Sequence, residues 1–166
     1  MRTRDLIAEL DGGWAALEAT RPRVEAGVPW PVSQQFDTAP EAHWYPPEVL
    51  AHVSELVERW HGVVTTILAG DREPVPFGAP GPSPSRLVGI DRNRHLPMDA
   101  LYGLIERHVM ALRATLAGMS DADLEKRGVH PTRGESSIGE IVHDSITGHM
   151  DEHVRQLESL LADAGR

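Results

Sequence analysis

The segment GHMDEHVRQLESLL, residues 148–161, places His149 and His153 four apart within a helical pattern of apolar residues. At about 100° per residue the second imidazole lies about 40° around the helix and one turn along, so both can meet one ion. The spacing by itself is a weak signal. With nine histidines in 166 residues, about half an i,i+4 pair arises by chance. The position of the pair says more. It shares a stripe with Ile138, Ile141, Val142, Ser145, Gln156 and Leu160, whereas a solvated pair belongs on the opposite face. Neutral imidazoles inside a bundle need partners on both ring nitrogens, and a metal ion satisfies one on each. The competing reading is a histidine-rich helix that holds no ion.

A third donor candidate is His52 in VLAHVSELVERW, at the border of a second apolar stripe between Val49 and Leu56. Three neutral imidazoles with an open position make a catalytic site for a divalent metal, Zn²⁺ first, with Ni²⁺ or Fe²⁺ also compatible. The helical wheel sorts the residues around the pair. Asp151 lies about 200° from His149 and faces away. Glu152, at about −60°, is the catalytic candidate, either a weak fourth ligand or a base for bound water. Its competing reading is a solvated edge carboxylate. Gln156, at about −20°, is a pocket candidate, against a buried amide bonded to another helix. His130, in GVHPTRGESS, is a second pocket candidate at the mouth of the site, against a plain loop histidine. His108 lies on another apolar stripe, where a hydrogen-bonded core histidine is favoured over a ligand. His143 is about 120° off the metal stripe and reads as surface; His43, His61 and His95 read as surface or loop. Trp30, Trp44 and Trp60 line an apolar pocket or simply fill the core.

Four segments must position these groups. The first, residues 3–25, carries Leu6, Leu10, Trp14 and Leu17 on one face. The second opens at YPPEVL, where two prolines suit a helix's first positions, and continues through Trp60 to Ile67. The third follows Pro97 with Leu101, Ile105, His108, Leu112 and Leu116 and ends near Met119. The fourth starts at SIGE, where Ser137 and Glu140 have capping-box spacing, and runs nearly to the end. No segment alternates with period two, so little strand is expected. The pattern predicts an all-α fold, a four-helix bundle with long irregular connections, and one domain over 1–166. The connections are residues 26–45, with Trp30, Phe36 and Trp44; residues 69–96, long enough to cover a site; and residues 120–135, with a helical turn at SDADLEKRG.

Composition excludes several classes. Net charge is −9, which argues against nucleic acid or an anionic membrane as partner. Cysteine is absent, so there is no disulfide, thiolate site or cysteine nucleophile, and thiol chemistry would need a cosubstrate. Asp5 and Glu9 interrupt the N-terminal apolar residues, so no signal peptide is read. No window is long enough to span a bilayer, and a cytoplasmic protein is expected. Lys126 is the only lysine in an Ala-, Gly-, Pro- and Arg-rich chain, a bias typical of GC-rich bacterial genomes. There is no G-x-S-x-G elbow, P-loop or dinucleotide fingerprint, and Met150 after His149 breaks the H-E-x-x-H pattern.

AHWYPPEVLAHVSELVERW, LAGMSDADLEKRGVHPTRGESSIGEIV and GHMDEHVRQLESLL, in that order over residues 42–162, resemble the DinB/YfiT-like superfamily of metal-dependent enzymes. That group includes mycothiol-dependent maleylpyruvate isomerases and bacillithiol S-transferases. The resemblance implies a four-helix bundle, one divalent metal held by His52, His149 and His153, and a homodimer. Met150 stands where many relatives carry Asp or Asn, while Gln156 matches a common glutamine. The expected function is transfer of a low-molecular-weight thiol cosubstrate to a small-molecule electrophile. The alternatives are metal-dependent hydrolysis of a small molecule, or a non-catalytic stress-response or small-molecule-binding bundle.

Overall fold

The computed structural model describes residues 1–34, 43–71, 73–80 and 84–164; Phe36 lies outside them. Four long helices form the bundle: α1 (Thr3–Ala19), α3 (Pro46–Ala69), α5 (Met98–Ala117), and a last helical rod made of α6 (Ile138–Glu140), a π-helical segment (Ile141–Gly148) and α7 (His149–Ala164). Short helices α2 (Arg21–Ala26) and α4 (Pro84–Asn93) lie in the connections. The buried hydrophobic residues form one cluster.

Helix α3 is the axis of the molecule. From Pro46 to Val57 every residue is buried, because α4, α5 and the C-terminal rod pack around it. A helix buried on all sides must carry few charges, and those it has must be paired. Glu48 meets that demand. Its carboxylate accepts from the backbone N–H groups of Ser33 (2.8 Å) and Tyr45 (3.0 Å) and from Arg94 Nη1 (3.2 Å). This one side chain fastens the start of α3, the preceding connection and the end of α4. Each fully buried Leu or Val along α3 contributes about 1.5–3 kcal/mol of transfer free energy.

The capping box at the fourth segment is present: Ser137 N donates to Glu140 Oε2 at 2.7 Å and Glu140 N to Ser137 Oγ at 3.2 Å. The rod beyond it departs from the expected register. The sequence pattern places Ser145, His149, Gln156 and Leu160 on the buried stripe. The structure instead buries Ile146, Thr147, Met150, His153, Leu157 and Leu161. The physical reason is the π segment, which inserts extra backbone into one turn and delays the stripe by one residue. Met150 is thereby a core residue: a Cβ on Gly13 of α1 would lie 3.4 Å from its sulfur.

Three further differences have local causes. The first helix breaks at Thr20, ahead of Arg21 and Pro22. The Thr20 hydroxyl donates to Leu17 O (2.7 Å) and lies 2.7 Å from Tyr102 Oη. The connection over 69–96 contains α4, whose apolar residues are too few to stand out beside its prolines. A small sheet also forms, in order β1-β2-β3. Strand β1 (Val75–Pro76) pairs parallel with β2 (Arg127–His130), and β2 pairs antiparallel with β3 (Gly134–Ser137). Runs of two to four residues are too short for alternation to show. Gly134, at φ +83°, closes the hairpin in the left-handed region that favours glycine. Among the described residues no helix is long and apolar enough to cross a membrane.

Candidate metal centre

The three histidines read from the sequence meet. His52, one turn below Glu48 on α3, is 1% exposed. His153 on α7 is also buried, and His149 is partly open to solvent. Ring centroids are 5.3 Å apart for His52–His149, 4.7 Å for His52–His153 and 4.8 Å for His149–His153. One ligand atom from each lies within 4.8 Å of the others. The Nε2 atoms of His52 and His149 are 3.2 Å apart. Two nitrogens each about 2.0–2.1 Å from a shared tetrahedral ion would lie at nearly this separation. Among the described residues, no other group of three or more potential ligands comes together.

The protonation states also suit a cation. His153 Nδ1 lies 2.9 Å from Gln156 Oε1. An amide oxygen only accepts, so Nδ1 carries the proton and Nε2 keeps its lone pair. Burial, then the charges of His153 and Arg86, push the His52 pKa far below its ordinary value. His52 is therefore neutral, as a ligand must be. Trp44, 2% exposed, stands edge-on to His52 at 5.3 Å and walls the site on that side. The residues present thus fit a divalent metal held by three imidazoles, with the π segment immediately ahead setting the angle at which His149 enters.

The remaining candidates separate. Gln156 contacts the site through His153. Glu152 lies with Oε2 at 3.9 Å from His149 Nδ1, its side chain 65% exposed. It faces the far side of that ring, not the nitrogens that converge. His130 is in β2, where Nδ1 lies 3.2 Å from the backbone N–H of Thr132 and the ring packs on Phe77 at 5.5 Å. No contact among the described residues joins it to the three histidines. His108 faces Glu58 at 4.0 Å; its neighbour Val109 takes the core position. His61 Nε2 meets the Thr115 hydroxyl at 2.8 Å. His143 is exposed and paired with Glu9 at 2.8 Å. Of the tryptophans only Trp44 touches the cluster: Trp30 donates to Val24 O (2.7 Å) and Trp60 packs on Phe77 at 6.2 Å.

Sequence reasoning missed Glu55. It lies one turn after His52, is 8% exposed, and points Oε2 toward His52 Nδ1 at 3.8 Å. The signal was available: each of the three histidines has an oxygen-bearing side chain three residues later, namely Glu55, Glu152 and Gln156. A cavity of about 640 Å³ opens elsewhere, between α2 and the start of α5, lined by Trp30, Pro47, Arg94 and Met98 among others and by none of the three histidines.

Comparison with solved structures finds the same architecture in YfiT from Bacillus subtilis, a probable metal-dependent hydrolase with an unusual four-helix bundle topology. The TM-score is 0.66 at 16% identity, over 94% of this chain and 87% of that one. The chain has a YfiT-like four-helix bundle fold. No family model and no curated protein matches the sequence. At this identity the YfiT likeness speaks for the fold, and the YfiT-like bundle brings its second and last long helices together where His52, His149 and His153 converge.

Proposed function

We propose that the protein is a divalent-metal-dependent enzyme, with His52, His149 and His153 as ligands of one ion, Zn²⁺ by preference, that transfers a low-molecular-weight thiol to a small electrophile. The observation that carries this reading is the convergence of three imidazoles from two helices, with no fourth protein donor beside them among the described residues. Structural zinc sites are closed by four protein ligands, whereas three leave a position for chemistry. A divalent cation held by these residues would supply Lewis acidity that lowers the pKa of a thiol.

The chain's own residues do the rest. Gln156 holds His153 in the tautomer that offers Nε2. Trp44 screens His52 from water. Arg86 bears on His52 through its charge, which favours an anionic thiolate nearby. With no cysteine in the chain, the nucleophile comes from the cosubstrate. Its proton leaves to solvent, a sulfur–carbon bond forms, and the electrophile's leaving group departs with its electron pair. Thiol transfer suits this geometry better than hydrolysis through Glu152, because the nearby carboxylates Glu55 and Glu152 face the Nδ1 sides of their histidines. A thiol of lowered pKa needs no such base.

Hydrolysis is the second reading, favoured by the likeness to YfiT. Incubation of the zinc-loaded protein with a low-molecular-weight thiol and an activated aryl halide separates the two. The transferase reading predicts metal-dependent thiol consumption above the uncatalysed rate. No acceleration by any thiol, together with ester turnover in its absence, would replace it with the hydrolase.

A further inference from the structure

We propose that Glu55 is the positioning residue for His52: its carboxylate accepts the Nδ1–H of His52 and so aims Nε2 at the ion, while Arg59 holds the carboxylate in place. The proposal rests on the metal reading above. Glu55 Oε1 takes the Arg59 Nε–H at 2.8 Å, one helical turn on. Glu55 Oε2 and His52 Nδ1 are then left. Both atoms are buried, neither has a hydrogen-bond partner, and they lie 3.8 Å apart. Each of these polar atoms costs free energy while unsatisfied in the interior. One movement satisfies both: closure by roughly 1 Å to hydrogen-bond length.

The same arrangement exists in finished form on α7, where Gln156 is 2.9 Å from His153 Nδ1. The i,i+3 spacing puts donor and acceptor on one helix face in both cases. Glu55 differs from Glu152 in its surroundings. Its side chain is 10% exposed against 65%, because α4 lies across it. Gly89 of α4 lies over it: a Cβ there would sit 3.4 Å from Glu55 Cγ, ordinary contact distance. Burial strengthens a charge-assisted bond to the imidazole, and Arg59 balances the carboxylate's charge. Helix α4 therefore keeps water from the groups that orient a metal ligand.

The test uses the full chain without a histidine tag. Zinc affinity is measured by competition with a chelator of known affinity for wild type, E55A and E55Q, and the His52 Nδ1–H is followed by nitrogen-15 NMR. Wild type binds one zinc per chain. E55A loses about 10- to 100-fold in affinity and the hydrogen-bonded Nδ1–H signal; E55Q, which keeps an acceptor, restores most of both. One zinc in wild type with E55A within about twofold overturns the proposal alone. A wild type binding well under one zinc overturns the metal reading and this assignment with it. If E55A does not fold, E55Q carries the test: the signal must persist and shift as the acceptor loses its charge, and an unmoved signal overturns the proposal.

Discussion

Helix α3 carries two histidines that meet opposite ends. His52 faces two other imidazoles across the bundle, and its Nε2 lies 3.2 Å from that of His149. His61, farther along the same helix, is met by a hydroxyl, Thr115 Oγ1 at 2.8 Å, and its neighbour His108 by Glu58 at 4.0 Å. Burial lowers the pKa of all three, so burial does not distinguish them. The difference is convergence. At His61 the protein satisfies the ring nitrogen from within, and an ion adds nothing. At His52 three nitrogens are brought to one point and the oxygens stand on the outer sides of the rings. A Glu-x-x-His pair is no better guide: Glu58/His61 and Glu140/His143 both have that spacing, yet Glu140 caps a helix and His143 pairs with Glu9.

Substitution is the strongest test of that contrast. Replacing His52, His149 or His153 by Ala should weaken zinc binding by at least about 100-fold, while H61A and H108A stay within about twofold; competition titration reads both. An equal loss at both sites would erase the distinction. The sheet-capped end of α3 should behave as scaffold alone. A Cβ at Gly128 would lie 2.5 Å from Ile67 Cδ1 and 2.7 Å from the Phe77 ring, so G128A should lower stability by about 1–3 kcal/mol in urea denaturation with zinc affinity unchanged. Gln156→Leu should leave the fold intact and cost about 10-fold in zinc affinity, since it frees the tautomer of His153.

The smallest effect is in pH. His52, His61 and His108 have folded pKa values below their ordinary 6.5. The unfolded chain therefore binds more protons, and metal-free protein should lose stability as pH falls below about 6.5. His143 has the opposite sign. Glu9 raises its pKa, so that pair's contribution is full below about 6.5 and fades as pH rises through the raised value. Being exposed, it is worth under about 1 kcal/mol. Denaturation of wild type and E9Q at pH 5.5 and 8.5 should show a modest loss in E9Q at the lower pH only.

Much of this was legible in the sequence, for reasons that also explain the rest. Long periodic segments and the Ser137/Glu140 cap announce the bundle, because 3.6-residue periodicity over twenty residues has few other readings. His52, His149 and His153 could be picked out, since the first sits beside an apolar stripe and the others lie one helical turn apart. The stripe of the last helix could not be phased, because nothing in IVHDSITG marks a π turn, and one extra residue exchanges His149 for Met150 in the core. Glu55 has the right spacing from His52, but its burial comes from α4, which lies far along the chain and leaves no mark around residue 55. The sheet escaped because pairing between β1 and β2 joins residues far apart in the chain and leaves no local pattern.

The metal reading requires that His52, His149 and His153 share one ion. X-ray absorption on zinc-loaded, tag-free protein tests it most directly. One zinc per chain is expected, with three imidazole nitrogens at about 2.0–2.1 Å and one further light ligand, falling to two imidazoles or to no bound zinc in H149A. Fewer than three imidazoles in wild type, or a spectrum unchanged in H149A, would contradict it.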